Sequence, residues 1–287
     1  MIVVRLYGGL GNQLFQYATA RRLALHNNSE LVLDTAELGK TYAHVTARKF
    51  ELCHYPVQAR LLSYREQIIS KLYTNRVLRR LPLARTWRLY REKEFSFDSK
   101  IMHLQGDIYL DGYWQCPQYF NDIEGILRLE LTPILDMGSE DNSIYDDIKS
   151  SNSVSIHVRR GDYVTLKSAA QAHGICSLEY YRKAIGLMAE RVENPKFFIF
   201  SDDPVWVSEN IKTNFPTVFV THNVGRNAYL DLRLMSLCHN QIIANSSFSW
   251  WGAWLNESTN KVVVAPARWF ANDTKTPDLI PQSWLTL

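Results

Sequence analysis

The second half of the chain constrains the fold most. Five short, almost wholly apolar runs lie there: SVSIHV (153–158), KFFIF (196–200), TVFVT (217–221), QIIA (241–244) and KVVVA (261–265). Helical stretches fall between them, at 177–192, 204–212, 228–238 and 247–256. Apolar strands alternating with helices point to a parallel sheet covered on both faces. Such sheets bind ligands in the crevice beyond the carboxyl ends of their strands. The residues that follow each apolar run are therefore the candidates for function.

The first half is less regular. It opens with a strand (2–7), a glycine turn (Gly8, Gly9, Gly11) and a helix over 12–26; a second strand, 31–33, ends at Asp34. YLDGYW (109–114) predicts another strand, followed by a helix started by Pro117. TPILDMGSEDNS (132–143) has the Pro, Gly, Asp and Ser content of a linker. The expected organisation is an α/β chain with an N-terminal domain 1–131, a linker 132–143 and a C-terminal domain 144–287.

Composition narrows the class. With 46% apolar and 21% charged residues the chain is neither collagen, coiled coil nor disordered. The net charge of +3 is unevenly spread: residues 60–93 carry ten Lys/Arg against Glu66 and Glu92, leaving 22 basic and 27 acidic residues elsewhere. That acidic remainder argues against nucleic acid. The basic segment reads as helical. It is either a solvated or interdomain face, or a peripheral contact with a membrane surface near a lipid-linked acceptor. Four dispersed cysteines with no CxxC argue against zinc and for reduced thiols. The N-terminus lacks the pattern of a signal peptide, and no run approaches the roughly eighteen apolar residues of a membrane span. A cytoplasmic enzyme is expected, at the inner face of the membrane if the basic segment touches lipid.

Four motifs sit at strand ends. In HVRRGDY (157–163) two arginines follow an apolar strand at once. Adjacent guanidinium groups suit an anion, and a diphosphate fits two planar forks. Gly161 permits a sharp turn, and Asp162 either holds an arginine or touches a substrate hydroxyl. In FSDDP (200–204), Asp202 and Asp203 suit a guanine edge or a ribose better than a metal, which would favour Asp-x-Asp spacing. Their plain alternative is a cap for the helix beginning near Pro204. ANSSFSWWGAWL (244–255) opens a helix with Asn245, Ser246 and Ser247; the serines suit phosphate, and the three tryptophans suit a core. GGLGNQLFQYA, from Gly8, invites a dinucleotide reading with Asp34 as the ribose acid. The G-x-G-x-x-G fingerprint fails at Leu14, which weakens an oxidoreductase, and no Walker loop follows.

Together these motifs, in this order, resemble the inverting α-1,2-fucosyltransferases, especially bacterial members that decorate O-antigen and similar glycans. HGICSLEYY (173–181) and GYWQ (112–115) fit as well, whereas 42–103 carries little that matches. The resemblance implies a glycosyltransferase B fold, two Rossmann-like domains facing a cleft, with GDP-L-fucose as donor and a galactose-terminated glycan as acceptor. It implies that Arg159 and Arg160 engage the diphosphate, that His157 lies near the nucleoside, and that Asp202 or Asp203 reads guanine. Ser246 and Ser247 add phosphate contacts, and the turn with Gly9, Gly11, Asn12 and Gln13 faces the sugar and phosphate. No metal and no cofactor are expected. Catalysis is assigned to Arg159, with Asp162 the nominated base; a carboxylate in the first half of the chain and the leaving phosphate itself are the alternative proton acceptors. The rival expectations are transfer of another nucleotide-activated hexose or deoxyhexose, and a non-catalytic nucleotide-sugar-binding protein.

Overall fold

The computed structural model describes residues 1–40, 47–74, 86–134, 138–161, 164, 170–171, 173–223, 225–272 and 274–287. It divides into two compact units: Met1–Thr132 with Thr276–Leu279, and Pro133–Lys275 with Ile280–Leu287.

The first unit is a parallel sheet of β1 (Ile2–Arg5), β2 (Leu31–Asp34), β3 (Arg60–Leu61), β4 (Arg88–Arg91) and β5 (Ile108–Asp111). Its spatial order is β3-β2-β1-β5-β4, so the order reverses between β1 and β5. The helices are α1 (Leu10–His26), α2 (Tyr64–Thr74) and α3 (Glu124–Glu130). β1, β2 and β5 are nearly devoid of polar side chains because both faces are covered. Helix α1 buries most of its circumference, so the amides of Gln13 and Gln16 are taken inside with it.

The segment 60–93, expected to be helical, holds two strands as well as α2. Arg88 and Arg91 guard the exposed edge of β4 while Leu89 and Tyr90 are half-buried, a pattern suited to an edge strand. Tyr73, Trp87 and Tyr109 stack beside them. Arg60 is held by Glu30 and Glu66, and Arg91 by Asp111, so part of this basic charge is neutralised within the unit. Pro117 starts a short 3-10 turn rather than a helix, and α3 begins seven residues later.

The second unit comprises α4 (Ser139–Lys149), β6 (Asn152–Val158), α5 (Leu178–Arg191), β7 (Pro195–Ser201), α6 (Pro204–Asn210), β8 (Thr217–Val220), α7 (Ala228–Leu237), β9 (Asn240–Ile242), α8 (Ser247–Trp254), β10 (Val263–Ala265) and β11 (Leu285–Thr286). Its six strands are parallel in the order β11-β10-β9-β6-β7-β8, the doubly wound arrangement with the switch point between β6 and β9. Strand β6 is central and buries Val154, Ile156 and Val158 completely, each worth about 1.5–3 kcal/mol. Helix α4 begins inside the stretch read as a linker, and acids in its first turn favour that start. Trp250, Trp251 and Trp254 pack on one another in the core, as the plain reading had it.

Candidate functional site

Two carboxyl edges carry the motifs, one in each unit. In the second unit β6 and β7 run in register, with Val158 opposite Ser201. Arg159 and Arg160 therefore emerge opposite Asp202 and Asp203. Arg159 Nη1 lies 2.7 Å from Asp202 Oδ2, and Arg160 Nε lies 3.1 Å from Asp203 Oδ2. The Arg160 backbone N–H also donates to Asp202 Oδ1 at 2.8 Å. Each arginine is thus oriented by its own aspartate. The pair expected to read a guanine edge acts here as an arginine brace.

Gly161 is needed for a reason other than turning. A Cβ there would collide with the Asp202 carboxylate. Asp203 also caps α6, accepting from Trp206 N–H, so the capping reading holds for that residue. The same Trp206 carries the ring over which the Arg160 guanidinium lies at 3.8 Å. Trp206 went unnoticed in the sequence; its signal was its place three residues after the cap of a helix opened by proline. Asp162, the nominated base, lies outside the described residues.

His157, on β6 just before the arginines, is buried with its ring 5.6 Å from that of Phe248. Burial, and secondarily Arg159, pulls its pKa down to about 3, so the ring is neutral. Its Nδ1 has no hydrogen-bond partner among the described residues. Across the switch point, Ser246 caps α8 by accepting from Phe248 N–H, and Ser247 is the first helical residue. Asn245 is structural: its amide donates to the carbonyls of His173 and Trp269, tying two loops to the end of β9.

Beside this edge Asp141, on α4, accepts from His222 Nε2 and Asn223 Nδ2 at 2.8 and 2.7 Å. This fixes the turn that leaves β8. Asp231, on α7, completes the cluster, and burial pushes its carboxyl up to about 7.

The first unit's edge is built differently. Gly8 has φ +79, and a Cβ there would strike Asn12. Gly9 is the extended N-cap of α1, without a side-chain cap of its own. The carboxylate of Glu51 supplies one by accepting from Leu10 N–H, and Arg48 stands beside it. Gln13, expected to face the donor, is employed elsewhere. It is fully buried and donates to the carbonyls of Gly8 and Lys49 while accepting from Glu51 N–H. Gln16 clasps both backbone groups of Tyr7. Asn12 accepts from Gln115 Nε2 at 2.8 Å, linking the glycine turn to the GYWQ run, while Gly11 is buried in the first turn of α1. Asp34 accepts from Tyr109 Oη and Ala36 N–H and is sealed from solvent, so it is no ribose acid.

Beyond β5, the backbone N–H groups of Tyr113 and Trp114 donate to Glu92 at 2.6 and 3.0 Å. Trp114 adopts φ +58, uncommon for a bulky residue, and Gly112 has no room for a Cβ against Glu92. The Tyr113 ring lies 4.7 Å from Tyr7, edge-on, and 5.8 Å from Phe95, stacked. Burial raises the Glu92 carboxyl to about 7 against its two N–H donors, with Asp111 adding like charge. Glu92 carried no signal of its own in the sequence, where it looked like one acid in a basic run.

Among the described residues no group of three or more His, Cys, Asp and Glu is placed to hold a metal, and no helix is long and apolar enough to cross a membrane.

A family model described as "Glycosyl transferase family 11" matches residues 1–286. An α-1,2-colitosyltransferase of Escherichia coli is 34% identical, covering 100% of this chain and 99% of its own length. The O-antigen biosynthesis glycosyltransferase WbnK of Escherichia coli is 35% identical over 98% and 99%. The galactoside 2-α-L-fucosyltransferase Sec1 of Mus musculus is more distant, at 23% over 89% of this chain and 64% of its own. Among solved structures, a mutant of Arabidopsis thaliana FUT1 in complex with GDP shares the fold, with a TM-score of 0.50 at 10% identity, covering 91% of this chain and 69% of that one.

Proposed function

The chain belongs to glycosyl transferase family 11, and from that premise we propose that it transfers L-fucose from GDP-L-fucose to the 2-hydroxyl of a galactoside in an oligosaccharide or O-antigen, with inversion and without a metal ion. The observation that carries this reading is the placement of Arg159 and Arg160. They follow the central strand beside the switch point of a doubly wound sheet, each braced by an aspartate.

Departure of GDP develops oxocarbenium character on the sugar ring and negative charge on the diphosphate. Cations fixed in advance stabilise that charge, and one such donor is worth about 3 kcal/mol. A guanidinium has five N–H donors, so a bond to an aspartate orients it and leaves capacity for phosphate. Ser246 and Ser247 add donors at the start of α8. Inversion requires the acceptor hydroxyl to attack the face opposite the departing GDP.

A second reading has one observation in its favour, the 34% identity with a colitosyltransferase over the whole chain. Colitose lacks the 3-hydroxyl of fucose. A site built to hydrogen-bond that hydroxyl rejects the deoxy sugar by about 10⁴-fold or more, so a fucosyltransferase should use GDP-fucose far better than GDP-colitose.

The test is to incubate the purified protein with lactose and either GDP-fucose or GDP-colitose, with and without EDTA. Fucosyl-lactose and stoichiometric GDP, insensitive to EDTA, are expected. Turnover of GDP-colitose alone selects the second reading, and no turnover with either donor rejects both.

A further inference from the structure

We propose that Glu92 is the general base of the transfer, taking the proton of the acceptor's attacking hydroxyl. This deepens the transferase reading above and rests on it. The inference starts from the carboxylates at the carboxyl edge of the first unit's sheet. Asp111 is held by Arg5 and Arg91, and Glu37 by Arg5 and Lys40. A carboxylate gripped by a cation is a poor proton acceptor, because the cation favours its ionised form. Asp34 has no cation partner among the described residues but is sealed from solvent. Glu92 is half-buried, has no cation partner among the described residues, and is bonded only to two backbone N–H groups.

Those N–H groups also fix its direction. The bonds to Tyr113 and Trp114 close the 112–114 turn on the carboxylate, and the left-handed backbone at Trp114 is the conformation that turn requires. Each carboxylate oxygen keeps a second lone pair for a hydroxyl. The same turn presents the Tyr113 ring between Tyr7 and Phe95, all three half-buried, a flat face of the kind that packs against a sugar ring. The base and an apolar platform for the acceptor are thus products of one turn.

In the step itself, the O–H bond of the acceptor hydroxyl breaks as its oxygen bonds to the anomeric carbon. The proton goes to Glu92, and the electron pair of the carbon–oxygen bond to phosphate leaves with the diphosphate. The groups facing Glu92 are Asp111 on β5, Tyr7 beyond β1, and Tyr113, Cys116 and Tyr119 beyond β5. The four other than Asp111 stay neutral near pH 7, since burial raises each of them. Burial displaces the Glu92 carboxyl upward, to about 7. A base with a pKa close to working pH is the efficient one.

The test is Glu92→Gln, assayed with lactose and whichever of GDP-fucose and GDP-colitose the wild type uses. The inference expects kcat to fall by about 10²- to 10⁴-fold with GDP affinity within twofold of wild type. It also expects the acid limb of the wild-type kcat profile, near pH 7, to vanish from the residual activity. Because a glutamine NH₂ facing Tyr113 or Trp114 N–H can unsettle the turn, the wild type supplies a second measurement. Carbon-13 NMR of labelled glutamate should show a carboxyl titrating within a unit of the kinetic limb and absent from the variant's spectrum. Kcat retained within threefold, an unchanged acid limb in the variant, or a Glu92 carboxyl titrating near 4 overturns the inference alone. A wild type inactive with both donors overturns the transferase reading as well.

Discussion

The two carboxyl edges use opposite electrostatics. In the second unit, two arginines stand at the switch point, each aimed by an aspartate, and the nearby helix is capped by neutral serine. In the first unit the N-terminus of α1 already faces the Glu51 carboxylate, and the amides of the glycine-rich motif are taken up within the unit, Gln13 by Gly8, Lys49 and Glu51, Gln16 by Tyr7, and Asn12 by Gln115. Anion binding is therefore expected to reside in the second unit. The first unit offers a desolvated carboxylate and an aromatic face instead, which suits a neutral sugar with a proton to lose. Similar-looking glycine turns and strand ends thus carry different chemistry, decided by which charges the neighbouring segments bring.

The contrast breaks most visibly at Arg159. Arg159→Ala should reduce kcat/KM by about a hundredfold or more, since one charge-stabilising donor is worth about 3 kcal/mol. GDP affinity, measured by calorimetry, should fall with it. The same substitution leaves Asp202 without its cation, so Arg159→Lys, which keeps the charge but not the fork, should recover only part of the loss. Gly161→Ala comes next. Its methyl would displace the Asp202 carboxylate, so a loss of about tenfold in kcat/KM is expected with unchanged acceptor KM.

Gln13 sharpens the comparison from the other side. Gln13→Leu removes three buried hydrogen bonds and leaves backbone groups unpaired, at a cost of about 1–3 kcal/mol in stability. GDP affinity should stay within twofold. A selective loss of GDP binding without a shift in Tm would restore Gln13 to the donor site.

The smallest effect concerns pH. His157 is pulled from 6.5 down to about 3 in the folded state, so the unfolded chain binds the extra proton between those values. Its contribution to stability is intact above about pH 6.5 and is lost as pH falls towards 3. Between pH 7 and 5 the loss should be about 1–2 kcal/mol. Urea unfolding of the wild type and of His157→Gln should show a shallower pH slope for the variant.

How much of this was legible follows from the range of the interactions. The second unit's sheet was readable because each strand is a run of apolar residues ending in polar ones. The arginines of HVRRGDY announced themselves by that position. Their aspartate partners were visible as a motif but not as partners, since 43 residues separate each pair. The partners of Gln13 were not legible because its bonds reach across 36 and 38 residues to a stretch without pattern. β3 and β4, two and four residues long, owe their existence to pairing with β2 and β5 rather than to propensity. Their arginines made the segment look like a charged helix, and Glu92 was lost in it. Within the stretch read as a linker, composition hid the start of a helix: Ser139, Glu140 and Asp141 suit a loop, yet they also suit the first turn of a helix that buries Ile148.

The central claim is that the second unit's arginine pair holds a diphosphate. Calorimetric titration of GDP and of GMP, in EDTA, into the wild type and into Arg160→Ala tests it most directly. The account predicts that GDP binds the wild type at least tenfold more tightly than GMP and that the variant loses most of this preference. Equal binding of GDP and GMP by the wild type, or an undiminished preference in the variant, would contradict it.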